Sequence, residues 1–147
     1  MLYEKNIDEF LFSSDKKKLQ IKVIHQYLNK ESYWAQNIPV KVVKTSIKGS
    51  ICFGVYFRER QIGFGRVISD KASFAYMADV FILNEHQGKE LGKKLIAFIM
   101  ECPDLKGLRR FMLATKDAHA LYTKFGFTNL ATPERFMELK PFEKYSN

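Results

Sequence analysis

The sequence contains little cysteine, little proline and no long apolar run, and each shortage excludes a class of protein. Its two cysteines, Cys52 and Cys102, lie far apart in 147 residues, which suggests neither a disulfide framework nor a metal-binding spacing. Four prolines and eight glycines are too few for a fibrous or low-complexity chain. The apolar stretches near residues 80–83 and 95–100 are much shorter than the roughly 20 residues of a membrane-spanning helix. A membrane-spanning segment is therefore not predicted.

The rest of the composition is typical of one globular domain. Hydrophobic residues make up 46% and charged residues 27% of the chain, so we predict a single domain over residues 1–147. The N terminus lacks the pattern of a secretory signal, and we expect the protein in the cytoplasm. The net charge of +8 favours anionic partners such as nucleic acid, anionic lipid or a phosphorylated cofactor. The three histidines show no ligand spacing, and no metal is predicted.

Hydrophobic periodicity divides the chain into a helical first part and a strand-rich second part. A short strand over residues 10–13 precedes two helices, whose apolar residues recur three or four positions apart: Ile21, Ile24 and Leu28, then Val40, Val43 and Ile47. From residue 51 the period changes to two, which predicts three antiparallel strands with turns at 58–60 and 69–71. The third strand runs from residue 74 to residue 83.

The region after the third strand predicts a crossover. It contains a helix marked by Leu91 and Leu95, a strand over residues 110–114, a helix with Asp117 as its N-cap, and a last strand over Phe136–Leu139. A strand, a helix and a further strand at this spacing form a right-handed unit with parallel strands. The predicted class is therefore α+β with a mixed sheet.

The loop before the helix at Leu91 is the first feature that points to chemistry. At a helix start the first backbone N–H groups are unpaired, and the helix dipole adds partial positive charge. Gly88 and Gly92 allow close approach of a ligand, and Lys89 and Lys93 add full charges. Such a loop suits a pyrophosphate, although a purely structural strand-to-helix turn has the same form.

Gln87-Gly-Lys-Glu-Leu-Gly92 and Leu121-Tyr-Thr-Lys-Phe-Gly-Phe127 both resemble motifs of the GNAT superfamily of N-acetyltransferases. Residues 79–95 contain Gln87 and Gly92 of the signature Gln/Arg-x-x-Gly-x-Gly/Ala, with Glu90 where the family usually has its first signature glycine. Residues 117–127 are similar to the family's helix that ends in Leu-Tyr-x-Lys-x-Gly-Phe. The resemblance covers roughly residues 51–127. It implies the GNAT (acyl-CoA N-acyltransferase) fold, a mixed, mostly antiparallel sheet flanked by helices, and acetyl-coenzyme A as co-substrate.

The resemblance also implies roles for individual residues. The strand 80–83 should splay from the strand 111–114, so that backbone amides of Val80, Phe81 and Ile82 reach the pantetheine arm and the oxyanion. Tyr122 matches the tyrosine that protonates the departing thiolate, with a core aromatic as the alternative. The implied cofactor-binding loop comprises Gln87, Gly88, Lys89, Glu90, Leu91, Gly92 and Lys93.

Three further residues are candidates for the acceptor side. Asp79 is either a base or anchor for the amine, or an acid bonded to nearby backbone or to a lysine. Tyr33 and Trp34 lie in the connector between the first two helices, a region that lines the acceptor pocket in similar enzymes. Packing of this connector on the sheet is the alternative.

The predicted function is transfer of acetyl from acetyl-coenzyme A to a primary amine, by direct attack in a ternary complex. The acceptor is a small molecule or a protein amine, and the chain is a monomer or a homodimer. A non-catalytic acyl-coenzyme A sensor with the same fold is the first alternative. A basic nucleic-acid-binding module is the second, and it rests on charge alone.

Overall fold

A single six-stranded sheet organises the molecule. The computed structural model describes residues 2–146. The strands are β1 (Glu4–Ile7), β2 (Phe10–Ser13), β3 (Ile51–Phe57), β4 (Arg60–Ser69), β5 (Phe74–Ile82) and β6 (Arg110–Leu113). They lie side by side in chain order, antiparallel from β1 to β5, and β6 is parallel to β5. The predicted α+β class and the mixed sheet are confirmed.

Helices cover both faces of this sheet. They are α1 (Ile21–Gln26), α2 (Val40–Lys48), α3 (Leu91–Met100) and α4 (His119–Thr123). A wide turn over Tyr27–Glu31 continues α1, and α2 begins directly after Pro39 and ends at Gly49. None of the helices within residues 2–146 has the length and apolarity to cross a membrane.

Each face of the sheet has its own apolar core. On one face, α3 buries Leu95, Phe98 and Ile99 against Phe53 and Val55. On the other face, the cluster is formed by α1, its continuing turn, α2 and the strands, through Ile24, Leu28, Val43, Ile47, Cys52, Phe64 and Phe81. Strands β3 and β4 are consequently apolar at successive positions, because both of their faces are covered.

Two expectations require correction, and one strand was missed. Phe136–Leu139 is not a strand, because no neighbouring strand hydrogen-bonds to it and most of its side chains are exposed. Asp117 is not an N-cap: Ala118 precedes α4, and the Ala118 N–H donates to Thr115 Oγ1 over 3.0 Å. Strand β1 was not predicted, because its residues are mostly exposed and polar.

A bulge in β5 and the end of the β5–β6 pairing create the opening in the sheet. Phe64 faces Phe81 and Arg66 faces Ala78, so Asp79 and Val80 together lie opposite one residue of β4. The backbone of Asp79 is left-handed, with φ of 56°. Beyond Met77 and Leu113, β5 and β6 are no longer paired. The splay expected between these strands is therefore present.

Candidate active site

The divergence of β5 and β6 opens a cleft of about 360 Å³. Strand β5 and the connector supply one side of it, and the end of β6 with the start of α4 supplies the other. The lining residues are Tyr33, Trp34, Tyr76, Met77, Ala78, Asp79, Val80, Leu113, Ala114, Thr115, Lys116, Asp117, Ala118 and Tyr122. The cleft thus brings together candidate residues from three separate parts of the sequence: Tyr33 and Trp34, Asp79 and Val80, and Tyr122.

Tyr122 is the most buried ionisable side chain of the cleft. It is 9% exposed, and its ring packs edge-on against Phe127 at 5.8 Å between centroids. Within residues 2–146 its hydroxyl group makes no hydrogen bond, so it is available to a ligand. Burial, with a smaller contribution from Tyr33, raises the pKa of Tyr122 to about 12. The phenol is therefore protonated throughout the neutral range.

Asp79 is held by two side chains, one on each carboxylate oxygen. Trp34 Nε1 donates to Oδ1 at 2.9 Å, and Arg66 Nε donates to Oδ2 at 2.8 Å. The side chains of Arg66 and Asp79 are only 15% and 11% exposed. Arg66 Nη1 also donates to Ser50 Oγ at 3.0 Å, which fixes the guanidinium from a second direction. A charged pair this buried is stable only because its hydrogen bonds are well satisfied.

Tyr33 and Trp34 line the same cleft as Tyr122. Their rings meet edge to face at 5.0 Å, and both side chains remain substantially exposed. The Tyr33 hydroxyl accepts a hydrogen bond of 2.9 Å from the Lys116 N–H. The connector is therefore tied to β5 through Trp34 and to the loop after β6 through Tyr33, on both sides of the cleft.

The loop before α3, which the sequence predicts to bind the cofactor, presents an unbroken run of free backbone donors. Gln87 Nε2 donates to Ile82 O at 3.0 Å and to Asn84 Oδ1 at 3.1 Å, which fixes the start of the loop to the end of β5. The first backbone bond after it is from Lys94 N–H to Glu90 O. Among the described residues, the N–H groups from 88 to 93 have no hydrogen-bond acceptor. Six consecutive amides at the start of α3 form a suitable anion site.

Two residues with a left-handed backbone conformation shape this loop. Gly88 has φ of 86°, and Glu90, directly before α3, has φ of 59°. No atom within 4 Å would contact a Cβ added at Gly88 or at Gly92, so a ligand has room at both. The side chain of Glu90 is exposed and forms no hydrogen bond to cap α3. The backbone at position 90 therefore has a conformation that favours glycine, as the signature predicts, although the residue there is glutamate.

Lys89 and Lys93 are both exposed beside the free amides. The ammonium of Lys89 lies 3.2 Å from His86 Nδ1 and over the ring of Phe10. Burial lowers the pKa of His86 and so favours the neutral imidazole. Its Nδ1 can then accept a hydrogen bond from the Lys89 ammonium. Val80 lines the cleft, whereas the side chains of Phe81 and Ile82 are buried in the core. Any contact of the latter two with a ligand would involve their backbone alone.

The sequence did not single out Arg66, Ser50, Tyr76 and Lys116. Arg66 carried a usable signal, since a lone charge in the apolar run from Ile62 to Ile68 requires a partner. Nothing in the sequence identified Asp79 as that partner, because the β4–β5 bulge sets their register. Within residues 2–146, no group of three or more His, Cys, Asp and Glu side chains is arranged to hold a metal.

Comparisons with known proteins agree in naming one family. Residues 48–129 match the family model for the acetyltransferase (GNAT) domain. A curated acetyltransferase of Gibberella zeae is 32% identical, with 79% of this chain and 77% of the relative aligned. A GNAT-family acetyltransferase structure from Xanthomonas campestris pv. campestris is 45% identical, with a TM-score of 0.89 over 92% of this chain and 95% of that one. A more distant structure, a GNAT family acetyltransferase from Elizabethkingia anophelis with acetyl-CoA bound, is 13% identical with a TM-score of 0.62 over 83% of this chain and 78% of its own.

Proposed function

Because this chain belongs to the GNAT family of acetyltransferases, we propose that it transfers the acetyl group of acetyl-coenzyme A to a primary amine. Residues 1–147 would act as one N-acetyltransferase domain. The observation that carries the proposal is the free hydroxyl of the buried Tyr122 in the cleft where β5 and β6 separate. A proton donor at this point is what the departing thiolate of coenzyme A requires.

The run of free amides from 88 to 93 supports coenzyme A as the ligand. Amides at a helix start, the helix dipole and two exposed lysines complement a pyrophosphate. The Elizabethkingia neighbour was crystallised with acetyl-CoA, and its shared fold is consistent with this assignment. The splayed edge of β5 near Val80 offers backbone donors for the pantetheine arm and for the tetrahedral oxyanion.

The chemistry we propose is direct attack of the amine on the thioester within a ternary complex. The nitrogen forms a bond to the acetyl carbon, the C–S bond breaks, and Tyr122 gives its proton to the sulfur. Neither cysteine is suited to form an acyl-enzyme, because burial raises the pKa of the Cys52 thiol to about 11 and also raises that of Cys102. Juxtaposition of the two reactants then supplies much of the rate enhancement.

We assign Asp79 to the acceptor side, as an anchor rather than the general base. Arg66 neutralises its charge, and each oxygen already accepts one hydrogen bond. A second lone pair on each oxygen remains for an ammonium, and the rings of Tyr33 and Trp34 offer aromatic faces to the same cation. The proton of the amine would leave through water. The acceptor class that fits is a small-molecule amine or an exposed protein amine.

Two measurements test the proposal against its alternatives. Acetyl-coenzyme A should raise the melting temperature at concentrations where a mixed-sequence oligonucleotide does not, as expected for a ligand that binds only the folded state. A thiol-release assay with a panel of amines should then show acceptor-dependent turnover. Stabilisation without thiol release would favour a non-catalytic acyl-coenzyme A sensor. Stabilisation by the oligonucleotide alone would favour the nucleic-acid-binding module and refute the proposal.

A further inference from the structure

The cleft contains a lysine whose charge is not neutralised by the chain itself. Lys116 lies in the loop after β6 and lines the cleft together with Asp79 and Tyr122. The residue is exposed, and none of the salt bridges within residues 2–146 includes it. Asp79, in contrast, is already paired with Arg66. The ammonium of Lys116 is therefore available to a ligand as a positive charge.

Two contacts with Tyr33 hold Lys116 at the cleft. The Lys116 N–H donates to the Tyr33 hydroxyl at 2.9 Å, which fixes the backbone of the loop. The Lys116 Nζ lies over the ring of the same tyrosine, 5.4 Å from its centroid. A contact between a cation and an aromatic face orients the ammonium without cancelling its charge. The lysine is thus positioned by an aromatic side chain rather than by an acid.

The cation over Tyr33 restricts what an acceptor can place there. A second ammonium on this face of the ring would be repelled by the Lys116 ammonium, because like charges at short range raise the free energy. The acceptor ammonium is therefore directed towards Asp79, to which Trp34 also donates. The part of the acceptor that reaches Lys116 has to be neutral or anionic.

The charges of the cleft also indicate a ligand with both signs of charge. Among the described residues that line it, the charged ones are Asp79, Lys116 and Asp117, and Arg66 pairs with Asp79. Acidic and basic groups are thus equal in number. A ligand with one ammonium and one anionic group matches this arrangement, since it brings no excess charge into the cleft. The volume of about 360 Å³ is near the lower limit for a small-molecule site, which favours a small acceptor.

From these observations we infer that the acceptor carries an anionic group, a carboxylate or a phosphate, in addition to its amine, and that Lys116 binds this group. The inference rests on the proposed acetyl transfer and specifies its acceptor. A lysine ammonium has three donors, and hydrogen bonds between charged groups are the stronger ones. With Asp79 at the amine and Lys116 at the anion, the acceptor is oriented towards the thioester. Lys116 then determines specificity and takes no part in the chemistry.

Matched pairs of amines test this inference in the thiol-release assay. L-alanine is compared with isopropylamine, β-alanine with propylamine, and γ-aminobutyrate with butylamine, so that a methyl group replaces the carboxylate at three different spacings from the amine. Phosphoethanolamine and ethanolamine form the phosphate arm. In at least one pair the anionic member should have a kcat/KM about tenfold higher with the unmodified protein. The arm that shows the preference identifies the anionic group.

Three variants assign the preference to Lys116. Lys116→Met keeps the length of the side chain and should reduce the preference to about one, with the uncharged amine unaffected. Lys116→Arg keeps the charge and should retain most of the preference. Lys106→Met is the matched control, because it removes the same charge from an exposed lysine that does not line the cleft. It should behave as the unmodified protein. Comparing each variant with the unmodified protein on the same pair cancels the intrinsic difference in amine reactivity.

The possible results separate this inference from the proposed function. Equal kcat/KM for the two members of every pair would overturn the inference and leave acetyl transfer standing. A preference that survives in Lys116→Met would overturn it equally. If calorimetry shows that Lys116→Met loses affinity for acetyl-coenzyme A and keeps the acceptor preference, the lysine belongs to the coenzyme and the inference is wrong. The absence of thiol release with every amine would instead refute the proposed function, together with the inference that rests on it.

Discussion

The two parts of the candidate site are constructed differently: the loop from 87 to 93, which we call the anion end, and the cleft lined by Asp79 and Tyr122, which we call the acceptor end. At the anion end, the loop from 87 to 93 offers backbone amides, and of its polar side chains only Gln87 and Lys89 contact residues that precede the loop. At the acceptor end, Trp34, Asp79, Arg66 and Ser50 form one chain of side-chain hydrogen bonds. The first arrangement depends on backbone conformation, whereas the second depends on the identity of each side chain.

This difference indicates which properties each end controls. Backbone donors recognise phosphate groups in any ligand that carries them, so the anion end suits a coenzyme shared by many enzymes. Buried side chains with paired charges discriminate between acceptors, because a wrong partner leaves a polar group unsatisfied. Substitutions at the two ends should therefore change different kinetic constants. Substitution of Tyr122, the proposed proton donor, should change neither affinity.

The largest expected effect belongs to Tyr122→Phe. Loss of the proposed general acid should lower kcat by about 100-fold, while acetyl-coenzyme A affinity stays within a factor of about two. The pKa of about 12 means that the unmodified hydroxyl is protonated below that pH. The loss of rate in the variant should accordingly be equal from pH 6 to pH 9, because this whole range lies about three units or more below the pKa of about 12. Thiol release with the most active amine of the panel, and calorimetry with acetyl-coenzyme A, measure the two quantities.

A control distinguishes loss of the hydroxyl from disturbed packing. Phe127→Leu removes the ring that packs edge-on against Tyr122 and leaves the hydroxyl in place. This variant should lose stability but keep most of its kcat. If Tyr122→Phe retains full activity, the tyrosine has no part in the chemistry and its role is packing.

The second largest effect is expected from Asp79→Asn. Asparagine tolerates the left-handed backbone of this position, so the substitution mainly removes the charge that neutralises Arg66. Breaking a pair this buried should lower the free energy of unfolding by about 3 kcal/mol. The KM of the acceptor amine should rise, whereas acetyl-coenzyme A affinity should be retained. Chemical denaturation and steady-state kinetics measure these effects.

The double variant Asp79→Asn, Arg66→Met is the matched control for the pair. Removing both charges should restore part of the stability, since no unpaired charge remains buried. The KM of the acceptor should stay high, because the anchor is still absent. An acceptor KM equal to that of the unmodified enzyme in both variants would exclude Asp79 as the anchor.

Much of the fold could be predicted because local patterns determine it. The alternation in β3 and β4 and the apolar spacing of α3 each follow from the burial of one or both faces. The segment Phe136–Leu139 has the composition of a strand, but a strand also needs a neighbour, and the sequence carries no record of whether that neighbour is available. Its assignment failed for this reason.

The candidate site was predictable to a different extent. Tyr122 and the loop at Gln87 were found through a resemblance, not through any physical pattern that would distinguish them from a core aromatic and a structural turn. The Trp34–Asp79–Arg66 chain could not be found, because it joins residues up to 45 positions apart through a bulge that only tertiary pairing creates. For Glu90, the departure from the family signature was visible in the sequence, but the left-handed backbone conformation of this residue was not.

Glu90→Gly should produce the smallest effect, and it should be confined to the anion end. Glycine adopts φ of 59° without the strain that glutamate has there, a gain of roughly 1 kcal/mol, which the greater freedom of glycine in the unfolded chain reduces to about 0.5 kcal/mol. Removing a negative charge beside the free amides should also tighten acetyl-coenzyme A binding about threefold. Glu90→Gln separates the two causes, since it removes the charge and keeps the strained backbone: it should show the gain in affinity without the gain in stability. Calorimetry and thermal unfolding measure both. Equal affinity in all three proteins would mean that the Glu90 side chain points away from the bound phosphates.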